Sequence, residues 1–390
     1  MRPGRHGGLC TGDRAKWKSH LFWWYGPDGI NPHLCGQFID MSDMSNSQSI
    51  AFGVIGLGHI GKRHAEMVKR HGECALHGMV DIRSAEDCEV TETVAEGVPL
   101  YGTPTEMLAA HPEIQIVSIC TPNGLHADQA VEVLNAGRHV LIEKPMSLTV
   151  ADGERVLHAA LNASRQAFCV MQNRYSPPSA WLKEIVESGR LGEIYMVQVN
   201  CFWNRDDRYY SKIPWKGQLA LDGGTLFTQF SHFIDILYWL FGDIKNIQAR
   251  FNDFAHSHNT DFEDSGLVTF DFNQGGIGSL QFSTAVDDQN FESSLTVVAE
   301  NGTVKVGGQY MNEVEYCHVR DYEMPVLPEA NPANDYGHYK GSAANHGFVI
   351  QNVVDTLTGR GSITTNAMEG LKVVDIIERI YASADRGLTK

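Results

Sequence analysis

Three features of the sequence predict an α/β protein whose first domain is a doubly wound parallel sheet and whose second carries an open, largely antiparallel sheet. Short apolar runs alternate with helical stretches from residue 50 to residue 142. A glycine-rich turn, Gly56-Leu-Gly-His-Ile-Gly61, follows the first apolar run directly. Beyond about Arg174, strand-like runs succeed one another across tight turns. Strands separated by helices pair in parallel with helices on both faces, whereas strands joined by short turns pair antiparallel.

Each element has its own signal. Ile50–Ile55 is an unbroken apolar run of the kind a strand buried on both faces needs, and a helix-like stretch follows to about His71. Ala75–Val80 forms a second strand that ends at Asp81. Thr103-Pro-Thr-Glu106 reads as a capping box with proline at the first helical position. Ile114–Cys120 is the next buried strand. Ala127, Ala130, Val131 and Leu134 then make one apolar helix face, which Gly137 can close. His139–Ile142 completes the series.

In the second half, Glu193–Trp203 alternates, with Tyr195, Val197, Val199, Cys201 and Trp203 on one face. Further strands are expected near 244–254, 265–272, 276–283, 294–300 and 303–306. Asn301-Gly302 is the hairpin turn between the last two, and Gly275-Gly276 supplies another turn. Helices at about 346–358 and 366–384 are expected to pack back on the first domain. The resulting division is an extension outside the fold at 1–43, which holds Trp17, Trp23 and Trp24, then a dinucleotide-binding domain at 44–173. A substrate domain at 174–345 and the C-terminal helices at 346–390 follow.

Totals narrow the function. The 390 residues exceed one hydrophobic core, and a formal net charge of −16 disfavours nucleic acid and anionic membrane as partners. The cysteines form no C-x-x-C pair, so no zinc site or redox motif is visible. Cys120 and Cys169 lie in apolar runs and read as small core residues of a reducing, cytoplasmic protein.

The glycine turn is a complete G-x-G-x-x-G between a strand and a helix, the pattern of a Rossmann dinucleotide site. Gly56 allows the tight turn, Gly58 lets the backbone approach a pyrophosphate, and Gly61 lets helix and strand pack closely, with His59 and Ile60 between them. Asp81 stands about 20 residues further on, where a carboxylate binds the ribose 2′-OH and repels a 2′-phosphate. NAD is therefore the expected cofactor, although Arg83 lies two residues away.

Chemistry is suggested by two further segments. Glu143-Lys144-Pro145 leaves a parallel strand at the end where open α/β sheets bind ligands; alone, it also fits an ordinary charged exit. Asp222-Gly-Gly-Thr opens a helix on which Thr228 and His232 stand at i and i+4.

These motifs, with Cys120-Thr121-Pro122-Asn123 and His126, occur in an order and spacing that resemble the glucose–fructose oxidoreductase / myo-inositol dehydrogenase (Gfo/Idh/MocA) family over about residues 49–385. The resemblance implies a Rossmann domain plus an open-sheet domain, assembled as a homodimer or homotetramer. It implies cofactor contacts from Thr121, Asn123, His126, Glu143 and Lys144, and proton handling by Lys144 and His232 during hydride transfer. Thr228 stands where many members carry an acid, so His232 is expected to rely on Lys144 and on Asp235 as orienting partner.

The stretch Phe202–Lys216 carries Arg205, Arg208, Lys212 and Lys216 against Asp206 and Asp207, with Tyr209 and Tyr210 between. It reads as an anion site or as a solvated loop with paired charges. With Gln172–Pro177 it is similar to a bacterial nucleotide-sugar branch of the family that oxidises C3 of UDP-N-acetylglucosaminuronic acid on the way to surface polysaccharide. That likeness makes Arg174, Tyr175, Arg205, Arg208, Tyr209 and Thr228 candidates for an anionic substrate. A dehydrogenase of an unactivated sugar or polyol, a non-catalytic NAD-binding sensor, and a structural subunit of a biosynthetic complex are the competing readings.

Overall fold

The computed structural model describes residues 49–211, 213–337 and 339–386. The extension at 1–43 and its tryptophans lie outside the described residues, as does Lys212.

The first sheet contains β1 (Ile50–Ile55), β2 (Cys74–Val80), β3 (Leu100–Tyr101), β4 (Ile116–Ile119), β5 (His139–Ile142) and β6 (Ala167–Cys169). All pair in parallel, in the order β3-β2-β1-β4-β5-β6. Chain direction through the sheet reverses at β1, so a crevice opens between the ends of β1 and β4, the place where such sheets bind ligands. Every residue of β1 and β4 is buried, which matches their unbroken apolar sequence. The capping box forms as expected: the Thr103 side chain accepts from the Glu106 N–H, and Glu106 accepts from the Thr103 N–H. On the helix His126–Asn135, Val133 is fully buried while Val131 is half-buried, so the covered stripe is turned from the expected one. The helix packs against Val150–Ala163 as well as the sheet, and two neighbours widen the buried face.

The second sheet contains β7 (Ile194–Phe202), β8 (Ile244–Asn252), β9 (Ser265–Phe272), β10 (Ile277–Ser283), β11 (Glu292–Ala299), β12 (Gly302–Gly307) and β13 (Glu313–Val319). A separate pair, β14 (Ala333–Asp335) and β15 (Lys340–Ala343), precedes the short β16 (Ala384–Arg386). The order is β13-β12-β11-β7-β10-β9-β8-β16. β7 with β10 and β8 with β16 are parallel; the other neighbours are antiparallel. Val197, Val199, Cys201 and Trp203 are buried as the alternation predicts, but Tyr195, near the start of β7, is exposed. The β11–β12 turn is shifted by one residue. Ala299 pairs with Gly302, which leaves Glu300 and Asn301 as the loop and Gly302 inside the strand. The strands β13 to β16 carry no clear alternating signal in the sequence and were not expected.

Both C-terminal helices pack back on the first sheet. Val349, Ile350, Val353 and Val354 of the helix His346–Leu357 cover Ile50, Phe52, Ile116 and Leu141. The helix Ala367–Ser383 lies against Val150–Ala163 and Ser231–Phe241, and so ties the two sheets together. A buried ion pair fastens this junction. Arg174 donates to both carboxylate oxygens of Asp235 at 2.8 and 2.6 Å and to Glu369 at 2.8 Å. Burial disfavours both charges; Asp235 and Glu369 restore that of Arg174, while the guanidinium opposes without cancelling the rise that burial gives the Asp235 carboxyl. Arg174→Ala would leave Asp235 buried and unpaired, and should lower unfolding stability by about 3–5 kcal/mol. The urea midpoint at constant slope measures this; a change below about 1 kcal/mol would show that the pair is not a brace.

Candidate active site

The glycine loop sits at the crevice. A Cβ on Gly56 (φ +87°) would meet the Cys120 backbone at 2.8 Å, and one on Gly61 would lie 1.7 Å from the Gly56 carbonyl oxygen. A Cβ on Gly58 would meet nothing within 4 Å. Two glycines are thus required by close packing, and the third keeps the start of the helix His59–Arg70 open to a ligand. No side chain caps that helix, so its first N–H groups and dipole face the opening. Asp81, at the end of β2, accepts from the Leu57 N–H at 2.7 Å and from Arg83 at 3.0 Å. Burial opposes its charge, but these hydrogen bonds outweigh burial and hold the carboxyl below its usual range. The donor set fits a dinucleotide: an open helix N-terminus for phosphate and an ionised acid for a ribose diol. Arg83 is occupied by Asp81 rather than aimed at a 2′-phosphate.

The other loops at this edge are braced. His126 is buried, with Nδ1 2.7 Å from the Pro145 carbonyl oxygen and Nε2 2.9 Å from that of Thr121. Burial lowers its pKa, so the neutral ring donates from one nitrogen to one of these carbonyls, and it stands between the two loops it braces. The Thr121 hydroxyl donates to Gln129. Asn123 donates to the Asp222 carbonyl at 2.8 Å and to the Thr228 hydroxyl at 2.7 Å, joining the first domain to the segment that bears His232.

Glu143 leaves β5 buried between two imidazoles, His64 at 2.9 Å and His346 at 3.5 Å. Burial would raise its pKa, yet hydrogen bonds from His346 and His64 hold the carboxyl well below the ordinary value. Lys144 follows, in a cis bond to Pro145, and its Nζ donates to the Thr228 carbonyl at 2.5 Å. Burial lowers its pKa to about 8, against the partial support of Glu143 and Asp222.

Leu226–Phe230 forms a π-helical turn before the α-helix Ser231–Phe241. Thr228 lies in the wider turn and His232 in the α-helix, so the four-residue stacking of one regular helix does not hold across them. His232 is buried, and its Nδ1 has no partner among the described residues. Burial keeps it neutral, with a pKa well below the ordinary value, and the Lys144 charge pushes the same way. The expected orienting role of Asp235 fails, because both its oxygens are bound by Arg174.

The substrate candidates divide. Arg174 is committed to Asp235 and Glu369, and the Tyr175 ring is stacked on Phe348, so both serve packing. Arg208 is on the surface, paired with Asp206 and Asp288. Arg205 is 2% exposed, and its nitrogens donate to Gln229, Asn204, Asn290 and Lys340. It lies over Trp203, Tyr209 and Tyr339 as a buried post. Tyr209 accepts from Gln229 beneath it.

The sequence marks Lys216 only as one member of a basic stretch and Asp222 only as the start of the glycine segment. Asp222 is almost fully buried, accepts from the Gly217 N–H at 2.8 Å and from the Thr228 hydroxyl, and faces both Lys144 and Lys216. Burial raises its pKa to about 6 despite those bonds and charges. The acid that position 228 lacks is thus present six residues upstream, linked through the Thr228 hydroxyl. Its signal was available, since Asp222 is the acid that opens the glycine segment. Only the fold brings it against Lys144.

A parallel sheet with a glycine loop at its reversal point, an acid closing the second strand and a lysine at the exit of the fifth define a dinucleotide-dependent oxidoreductase. Residues 50–171 match the oxidoreductase family with an NAD-binding Rossmann fold (GFO/IDH/MocA), and residues 180–305 match the C-terminal domain of the same family. The chain belongs to the Gfo/Idh/MocA family and is an NAD-dependent oxidoreductase. It is similar to the WlbA dehydrogenase of Bordetella pertussis, solved with NADH and UDP-GlcNAcA, at 32% identity and TM-score 0.74 over 86% of this chain and 96% of that one. The WlbA dehydrogenase of Chromobacterium violaceum, in the same kind of complex, matches at 30% identity and TM-score 0.76, covering 86% and 94%. Myo-inositol 2-dehydrogenase of Thermotoga maritima is 28% identical over 257 residues, which is 66% of this chain and 69% of that protein.

Asp81→Arg removes the ribose acceptor and adds a phosphate partner beside Arg83. The ratio of kcat/KM for NADP to that for NAD should rise by about tenfold or more, which is ~1.4 kcal/mol. Steady-state kinetics with both cofactors test this, and an unchanged ratio would remove Asp81 from cofactor selection.

Proposed function

We propose that the chain oxidises a secondary alcohol of an anionic nucleotide sugar, C3 of UDP-N-acetylglucosaminuronic acid, as a cytoplasmic homo-oligomer in surface-polysaccharide synthesis. The observation that carries this reading is the gathering of Lys144, Lys216 and Arg205 in one region with the carboxylates of Glu143 and Asp222, in a chain of net charge −16. A neutral polyol would leave the Lys216 ammonium, which has no acceptor among the described residues, without an ionic partner beyond the already bonded Asp222. The two solved relatives bound to UDP-GlcNAcA support the same substrate class. The myo-inositol dehydrogenase relative favours the second reading, an unactivated polyol.

Bound NAD, held by Gly56, Gly58, Gly61 and Asp81, supplies the hydride acceptor. The chain orients the alcohol and handles its proton. Neutral His232 can orient the hydroxyl by a hydrogen bond from its ring, but its Nδ1 is enclosed and burial makes it a poor holder of a full proton. Lys144, with a pKa of about 8, changes charge close to neutrality and suits proton transfer better. Its ammonium form stabilises negative charge on the carbinol oxygen, and Asp222, reached through Thr228, balances that charge. On the outer face of the second sheet Met196, Ile277 and Val298 lie side by side in register and exposed, which supports self-association through that face.

Two measurements test this. Lys144→Ala should retain NADH binding and lose turnover by about 10²-fold or more; unchanged turnover would refute its role. NAD reduction should be seen with UDP-N-acetylglucosaminuronic acid and not with glucuronate or myo-inositol. A signal with myo-inositol alone would favour the polyol reading.

A further inference from the structure

We propose that Lys216 is the anchor for an anionic oxygen that the substrate carries close to its reacting carbinol, a sugar carboxylate if the reading above, on which this rests, is right.

The lysine is held rigidly. Its N–H donates to the Ile213 carbonyl, and Gly217 follows at φ +82°, where a Cβ would lie 2.3 Å from the Asn259 carbonyl oxygen. The Gly217 N–H is fixed in turn by the Asp222 carboxylate. This turn sends the side chain inward, and the residue is 8% exposed. Its Nζ lies 3.4 Å from the Tyr209 ring centroid and 5.0 Å from that of Tyr339. Among the described residues Nζ has no hydrogen-bond acceptor. An ammonium carries three donors, and here only aromatic faces lie close to them, so they are available to a ligand.

The surrounding groups do not relieve it. Asp222 faces Lys216, but its oxygens already accept from Gly217 and Thr228. Arg205, Arg174 and Arg208 have protein partners for their guanidinium groups. Lys144 has the Thr228 carbonyl, so among the described residues of this region Lys216 is the cation with no acceptor for its donors. It shares Asp222 with Lys144 and feels the Lys144 charge, so an anion seated on it lies in the region where the alcohol reacts. That proximity favours a carboxylate on the sugar ring over a phosphate at the far end of the molecule.

The state of Lys216 sets a pH dependence. Burial, then the Arg205 charge, lower its pKa to about 7; Asp222 opposes them, Lys144 adds to them, and the Tyr209 and Tyr339 rings complete the contacts. Only the ammonium form holds an anion, so carboxylate affinity should fall as pH rises through about 7.

The test is calorimetric titration of NADH-loaded enzyme with glucuronate against glucose, and UDP-glucuronate against UDP-glucose. Wild type should favour the carboxylate of each pair by about tenfold or more, the scale of a charge-assisted hydrogen bond. Lys216→Met should abolish that preference and its pH dependence while NADH binding stays unchanged, and Lys216→Arg should keep part of it. A preference retained in Lys216→Met, or absent from wild type, overturns the proposal. A loss confined to the UDP-linked ligands, equal for glucuronate and glucose forms, moves the anion to the diphosphate and overturns the carboxylate assignment. Free and UDP-linked sugars binding alike would instead sink the nucleotide-sugar reading and leave the Lys216 result standing.

Discussion

The carboxylate of Glu143 is held between imidazoles from two distant parts of the chain, and the position of Lys144 depends on it. His64 comes from the helix that the glycine loop opens, and His346 begins the helix that covers the first sheet. One buried acid therefore fixes the exit of β5 to the cofactor helix on one side and to the C-terminal region on the other. Lys144, the next residue, is aimed at the Thr228 carbonyl as a result. A buried carboxylate without these donors would take up a proton and release both contacts.

Around this anchor the site is organised by unequal burial. His232, Lys144, Lys216 and Asp222 all lose solvent, and burial is the largest influence on each. The imidazole stays neutral, while the two ammonium groups and the acid are drawn toward the same part of the pH scale. Groups with neighbouring affinities for a proton exchange it at small cost, the condition for acid–base chemistry near neutral pH. Arg205 contributes differently. Its four acceptors and three aromatic neighbours make it a fixed positive charge inside the second domain.

The fold was legible wherever a residue's role is set by its immediate neighbours in the chain. The strand at 50–55, the three glycines, Asp81 and the Thr103 cap follow from local sterics, burial and hydrogen bonding, and those terms are written in consecutive residues. The partners of charged side chains were not legible. Arg174 and Asp235 are 61 residues apart, and Arg63 meets Asn334 across 271. Nothing near Arg205 in the sequence reveals that its charge is used internally, whereas that of Lys216, eleven residues on, is not. Composition pointed to a basic stretch correctly, but only packing separates its exposed, committed and open members. The displaced acid is similar: spacing marks position 228, while the carboxylate reaches it from 222 through a hydroxyl.

The helix His346–Leu357 gives the boundary between the domains a different meaning in space than along the chain. Its valines and isoleucine form the roof over Ile50 and Phe52 of β1, Ile116 of β4 and Leu141 of β5. Arg63 on the cofactor helix is likewise met by Asn334 and Tyr336 from the β14–β15 pair. The amino-terminal half is thus not a self-contained module that a gene fusion or truncation could carry elsewhere. During synthesis its apolar back must wait, uncovered, for nearly 300 further residues, a long exposure in which chaperone capture competes with completion of the fold.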